Sequence, residues 1–404
     1  MQLWAYIVNY KSMTALKIIV PFYFTAIFLL FVYSFTQIDL SLTFSRIDFL
    51  REIVKSFQWV GYFNRPLSTF IYIFLLVLLF NFYLGFQVLA YTKQISKKLV
   101  WRLIIATTLI LAFSYNAFSY DLFNYIFDAK IITHYQQNPY IHKALDFPGD
   151  PMLSFMRWTH RVYPYGPVWL GLTVPLSYIG FGFFLPTFFI FKSLMAAAFL
   201  GSVYYIGKIF QKINPEKEIF GLVFFGLQPL IVIESIVSGH MDIVMYFFAF
   251  FAFYLLLQKR YFWSLFLLAV SIGIKFVTAA LLPVFILVIF LQIRKKKIDW
   301  FKIFGFAVIL MTLTIIAASL RTTFQPWYLI AVLTFATFLS YRYFVFIPTL
   351  IISFIAMLTY VPYLYTGNWD PPIPAILNNI YIVSYIISFM TIIMFYFYRT
   401  KVKK

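Results

Sequence analysis

Leu67–Tyr91 reads LSTFIYIFLLVLLFNFYLGFQVLAY, 25 residues without one charged side chain. An α-helix needs about 20 such residues to cross the hydrocarbon of a bilayer, where only helices and closed barrels satisfy their own backbones. Barrel strands alternate apolar and polar residues over about ten positions; this stretch does not alternate. Comparable runs recur at about 14–35, 100–118, 184–206, 219–237, 241–258, 261–273, 276–292, 300–320, 327–340, 344–362 and 378–397. The 404-residue chain is 63% hydrophobic and only 11% charged, a balance no soluble core of that size needs. The expected fold is an all-α polytopic membrane protein with about twelve transmembrane helices, eleven to thirteen, forming one membrane domain over residues 1–404.

The formal net charge of +19 does not point to nucleic acid, because the cations sit in short links between spans and not on one solvated face. Lys93, Lys97, Lys98 and Arg102 make one link, Lys208, Lys212 and Lys217 a second, Lys259 and Arg260 a third, Arg294–Lys297 a fourth and Arg399–Lys404 a fifth. Cytoplasmic loops carry such an excess, and anionic lipid headgroups are their expected counter-charge. Placing these links inside puts segment 119–165, the Gly239-His240 turn, the Lys275 hairpin, the Arg321–Pro326 loop and the Tyr363–Asn379 loop outside. Gly166–Gly180 would reverse the later links if it crossed fully; rich in Gly and Pro, it reads as re-entrant or juxtamembrane. Thr14–Phe35 is expected to be a retained first span, because no small-residue cleavage site follows a short apolar core. Thr36–Pro66 is amphipathic around Phe49, Ile53 and Phe57 and is expected to lie along the outer surface. With no cysteine, disulfides and thiolate chemistry are excluded. No repeat of fixed period divides the chain.

The scarce polar chemistry gathers in one place. Ser119–Pro167 holds four of the thirteen acidic residues and three of the four histidines. Asp121 and Asp128 are two helical turns apart, so they share a face with Asn124 and Tyr125. A solvated amphipathic helix accounts for such a face; acids hard against a span end, followed by NPY and YPYGP, suggest a cavity mouth.

The order DLFNY, NPY, DP and YGPVW resembles the first outer loop of GT-C glycosyltransferases, most closely the polyprenol-phosphomannose-dependent mannosyltransferases and their neighbouring families. GHMDI resembles the family's His-x-Asp turn, IKFVTAALLP its Lys-bearing hairpin and QPWYL its Pro-Trp-Tyr start of a late span. The likeness covers about residues 100–340 and departs from the family in FNYIFDA, where more Tyr, Ser and Gly are usual. It implies a GT-C fold with a large outer loop carrying juxtamembrane helices, 119–165 being the catalytic loop. It also implies a membrane glycosyltransferase that moves a hexose, mannose first, from a polyprenyl-phosphate sugar to a glycan or lipid-linked acceptor, with inversion. No metal or other cofactor is then obligatory, since the phosphate is already a good leaving group and the protein supplies a base and cations.

By motif match Asp121 is the base, with Asp128 its substitute. The candidate cations for the leaving phosphate are Lys275, Arg161, Arg321 and Arg157. A Lys at the centre of a membrane helix costs about 2.5 to 3.5 kcal/mol unless paired or hydrated, so Lys275 is either functional or snorkelling. Arg157 and Arg161, four residues apart, bind either the substrate, headgroups or Asp150. Asp150 orients sugar hydroxyls or forms a turn before Pro151. His240 and Asp242 hold the donor, or His240 is an interface residue. Glu234 is expected to pair with Lys275 or Arg321. Asn138, Tyr140, Tyr165 and Trp327 complete the sugar-binding candidates, although Trp327 and Tyr328 also suit an aromatic interface belt. His134, His142 and His160 lack the spacing of a zinc site.

A lipid or solute transporter would carry ionisable residues near the midplane and matching halves. Here they lie at span ends and the halves do not match. A polymerase or ligase of lipid-linked polysaccharide would carry its large polar loop late in the chain, whereas this one is early.

Overall fold

The computed structural model describes residues 12–43 and 46–402; Lys403 and Lys404, the end of the fifth basic link, lie outside that range. Regular structure among the described residues is helical, and the one pairing of extended chain is an isolated antiparallel bridge between Lys143 and Val162. The helices are α1 (Ser12–Ser34), α2 (Asp48–Gln58), α3 (Arg65–Tyr91), α4 (Lys97–Ala112), α5 (Asp121–Thr133), α6 (Pro167–Ile179), α7 (Phe184–Ile213), α8 (Glu218–Gly226) and α9 (Pro229–Val232, continued by a π turn to Val237). They are followed by α10 (Asp242–Leu257), α11 (Tyr261–Ile274), α12 (Leu282–Ile293), α13 (Trp300–Ser319), α14 (Leu329–Ala336), α15 (Tyr343–Leu358), α16 (Tyr360–Thr366) and α17 (Ile373–Val402).

Local chemistry sets several of these starts. Asn64 accepts the Leu67 N–H at the head of α3, Ser96 that of Leu99 at α4 and Gln228 that of Ile231 at α9. Each side chain satisfies one of the backbone donors that a first helical turn leaves free. In α2, Arg51 pairs with Asp48 and Lys55 with Glu52, while Phe49, Leu50 and Ile53 are exposed, the amphipathic pattern expected of Thr36–Pro66.

Every expected span overlaps helix, but helix length does not show twelve crossings. Among the described residues seven helices are long and apolar enough to cross a membrane, or eight if the bent pair Pro215–Gly226 and Pro229–Val237 is one span. Expected spans 100–118, 241–258 and 261–273 are helices of 16, 16 and 14 residues, and 327–340 is the short apolar segment Pro326–Leu339. Hydropathy cannot separate a short apolar helix from a full span, because it records apolar composition and not where the helix begins and ends. Expected span 219–237 is broken at Leu227-Gln228, where its halves meet at 54°. Pro229 supplies no N–H to continue the ladder. Gly166–Gly180 forms the 13-residue helix α6.

The broken pair and the following turn form the centre of the bundle: residues 220–246 are buried without exception. That stretch includes Gln228, Glu234, Ser235, Ser238, His240 and Asp242. Irregular backbone and ionisable groups are tolerated at such depth where protein covers them. The first, second and fourth basic links meet at one end of the bundle. There Lys97 pairs with Glu218 at 2.6 Å, and Asn214, Lys297, Asp299 and Tyr341 line a cavity of about 580 Å³. The loops bearing Asp121, His240, Lys275 and Trp327 meet elsewhere, at the candidate site.

Candidate active site

Two close backbone approaches assemble the site. Gly166, in YGP, donates its N–H to the Ile274 carbonyl at 3.0 Å, and a Cβ on Gly166 would fall 2.0 Å from the Gly273 carbonyl oxygen. Only glycine lets the end of the polar segment lie against the residues that precede Lys275. Gly239 has φ +72°, the left-handed conformation that turns the chain from the end of α9 into His240.

Asp121 is the first residue of α5, its backbone N–H held by Ser119 Oγ at 3.1 Å. Its Oδ2 lies 3.8 Å from His240 Nε2, and the carboxylate keeps 16% exposure while His240 is fully buried. His240 Nδ1 is 3.1 Å from both the Glu234 carbonyl and Glu234 Oε2. The other Glu234 oxygen accepts the Tyr360 hydroxyl at 2.8 Å. Glu234 therefore pairs with His240 and Tyr360, not with Lys275 or Arg321 as expected: it is carried on the buried π turn beside His240. The Trp327 ring stacks on the imidazole with centroids 4.1 Å apart, so Trp327 spends one face on a protein ring. Lys275 Nζ donates to Asp242 Oδ1 and Oδ2 at 2.9 and 3.2 Å and lies 5.8 Å from the centre of the Tyr328 ring.

The electrostatics follow from this crowding. Burial pushes the Asp121 carboxyl above its ordinary range, held back by the charges of His240, Lys275 and Arg161 and reinforced by Asp242. Burial opposes the His240 imidazolium, but Glu234, Asp121 and Asp242 outweigh it and raise the histidine. Lys275 is likewise raised, burial being outweighed by Asp242. Asp128 faces the same way two turns further on; burial pushes it up to about 8, with Arg161 opposing and Asp121 adding to the rise. Asn124 Oδ1 and His240 Nε2 are buried without a hydrogen-bond partner among the described residues.

Of the remaining candidates, Arg161 and Tyr165 lie near enough to interact electrostatically with Asp121 and Asp128; the others lie apart from this cluster or serve local structure. Asp150 accepts the Met152 N–H at 2.9 Å, the Tyr135 hydroxyl at 2.7 Å and Lys130 at 2.5 Å, so it caps a turn and pairs with Lys130, not with Arg157 or Arg161. Those three donors outweigh burial and hold its carboxyl low. Asn138 accepts the Tyr140 N–H, and the Tyr140 hydroxyl reaches the Tyr165 carbonyl at 3.2 Å. The Tyr165 ring packs edge-on against Tyr125. Arg157 lies 3.9 Å from Asp39 and over the Tyr120 ring, and Arg161 over the Trp158 ring. Arg321 is exposed past the end of α13, without an ion pair among the described residues. Two cavities, the one between the basic links and a groove of about 790 Å³ between α3, α15 and α17, are lined by none of Asp121, His240 and Lys275.

Sequence reasoning overlooked Tyr360, whose 126-residue separation from Glu234 leaves no trace in spacing. It also overlooked Lys192, fully buried in α7. Here a signal existed: Lys192 is the only charge in Phe184–Gly207, and an ionisable residue inside an apolar run has a reason to be there.

A family model described as alpha-(1->6)-mannopyranosyltransferase, N-terminal domain, matches residues 32–291, more than half of the chain. No curated protein and no solved structure matches it.

Proposed function

The chain belongs to the alpha-(1->6)-mannopyranosyltransferase family, of GT-C type, and on the premise that it is a membrane glycosyltransferase we propose that it moves mannose from a polyprenyl-phosphate donor to a glycan or lipid-linked acceptor at the outer face. The observation that carries this reading is the convergence of Asp121, His240, Asp242 and Lys275 from α5, the Gly239 turn, α10 and the α11 end. A base and a cation stand at one end of the bundle, flanked by spans that suit a lipid tail.

In the proposed step the acceptor oxygen attacks the anomeric carbon and gives its proton to Asp121. The bond from that carbon to the phosphate oxygen breaks on the opposite side, so the configuration inverts and polyprenyl phosphate departs with the bonding pair. Lys275 receives the added negative charge, exchanging part of its contact with Asp242 for a phosphate oxygen. Asp121 is the better base than Asp128 because it alone faces His240, whose imidazolium favours the carboxylate form. Base and cation suffice for this scheme, so it needs no metal. The test is purified protein in lipid nanodiscs, offered a panel of polyprenyl-phosphate sugars with and without chelator. Transfer from the mannosyl donor alone, undiminished by chelator, is expected; transfer from a nucleotide sugar, or loss with chelator, refutes the scheme.

A further inference from the structure

Lys192 sits in the third turn of α7, fully buried. Its Nζ donates to the carbonyls of Ile236 and Val237, the latter at 2.8 Å, and to Ser114 Oγ at 3.2 Å. Ser114 Oγ gives its own proton to the Leu111 carbonyl at 2.6 Å, so toward Lys192 it is an acceptor. The Lys192 nitrogen thus meets three oxygen acceptors in a dry core. No carboxylate lies within ion-pair distance of it among the described residues.

A buried amine with no carboxylate partner is a costly way to hold two helices together, and an apolar side chain of the same length would pack there at no such cost. The elements it joins suggest why it is kept. Ile236 and Val237 end the turn that leads through Gly239 to His240, and Ser114 follows α4 and leads to Asp121. Gly239 itself lies between Leu122 and the Lys192 stem, where a Cβ would be 3.5 and 3.7 Å from their carbons. We propose that Lys192 is a positioning residue whose side-chain nitrogen ties the end of α9 to the end of α4 and so fixes His240 opposite Asp121. The catalytic half of this inference rests on Asp121 being the base; the tie between the two chain segments does not.

The test uses the full-length protein in nanodiscs and compares Lys192→Met and Ser114→Ala with wild type. Hydrogen exchange at 234–242 and 112–122 reports the tie. In Lys192→Met these peptides are expected to exchange at least about tenfold faster while the rest of the chain is unchanged, local opening being separable from global unfolding. With a polyprenyl-phosphate mannose donor, kcat should fall by up to about 10²-fold at a KM within about twofold of wild type, as for a small misplacement of reacting groups. The acid limb of kcat should also move to higher pH. His240, Lys275 and Arg161 favour the Asp121 carboxylate and Asp242 opposes it, while His240 faces Glu234, Asp121 and Asp242; of these only the His240 contribution is displaced. Ser114→Ala removes one acceptor and should move the same quantities less far, and it decides the matter if Lys192→Met does not fold. Wild-type exchange and kcat in Lys192→Met overturn the proposal. So does a general rise in exchange with a lowered melting point and kcat and KM changing together, which is what an ordinary core residue gives. A wild-type protein inactive with the mannosyl donor defeats the substrate reading, and the exchange arm still judges the tie.

Discussion

Asp121 and Asp150 belong to the same polar segment, yet the fold treats their carboxylates in opposite ways. Asp150 is enclosed by Lys130, Tyr135 and the Met152 N–H, each stabilising the ionised form, and its acidity is strengthened. Asp121 is crowded by a buried histidine at 3.8 Å, and burial raises its pKa. A carboxylate engaged by three close donors is stabilised in its ionised form and takes up a proton poorly, while a buried one held by charges at a distance takes it up more readily. The difference separates an anchor from the proposed base without reference to either residue's sequence motif.

The sharpest way to break this comparison is Asp121→Asn. It is expected to lower kcat for mannosyl transfer by about 10³-fold or more, within the range for loss of a general base, with unchanged insertion and melting point. Because the carboxyl is raised and the base is its ionised form, wild-type kcat/KM should climb as pH rises through that raised value. Full activity in the variant would remove Asp121 from the chemistry. Lys275→Met comes next, with an expected loss of about 10²-fold in kcat, the scale for one lost electrostatic contact to a developing charge. A loss confined to KM would make Lys275 a binding residue only.

These effects rest on contacts of which the sequence showed only part. Hydropathy located the helices of the expected spans, because apolar length is a local property, and the order of DLFNY, GHMDI and IKF named all four residues that converge at the site, Asp121, His240, Asp242 and Lys275. Span number was not legible in the same way. α10 is enclosed by protein while α11 turns Phe262, Trp263 and Phe266 outward, yet both are apolar, and hydropathy records only that water is absent. The break at Gln228-Pro229 was written in Pro229 but hidden within a continuous apolar run. Glu234 found His240 and Tyr360 instead of a lysine because its partners were chosen by the turn at Gly239 and by α16, which are relations between distant parts of the chain. Arg157 illustrates the same limit: its neighbour Asp39 lies 118 positions earlier, outside any local motif.

Asp150→Asn tests the other half of the comparison. Removing the charge leaves Lys130 with a weaker partner in a largely dry site, at a cost of about 1–3 kcal/mol. In wild type this contribution is present above the unfolded aspartate pKa and lost as pH falls through the lower folded value, so acid unfolding of the variant should show a shallower pH dependence. Its melting point should fall while kcat of the folded protein changes little. A large fall in kcat at an unchanged melting point would instead return Asp150 to the sugar site.

Asp128 gives the smallest and most discriminating effect, because it shares a helix face with Asp121 but lies outside the reach of His240. Its pKa of about 8 means that it is a neutral acid at neutral pH. The folded chain then holds a proton that the unfolded chain releases, so stability is greatest below the unfolded value near 4 and declines as pH rises toward 8. Asp128→Asn imitates the protonated form. It should keep kcat at pH 7 within about twofold and flatten the loss of stability between pH 4 and 8, the linkage having no group left to titrate. If kcat at pH 7 falls as far as in Asp121→Asn, the two acids act together, and the contrast that sets Asp121 apart must be drawn around the pair.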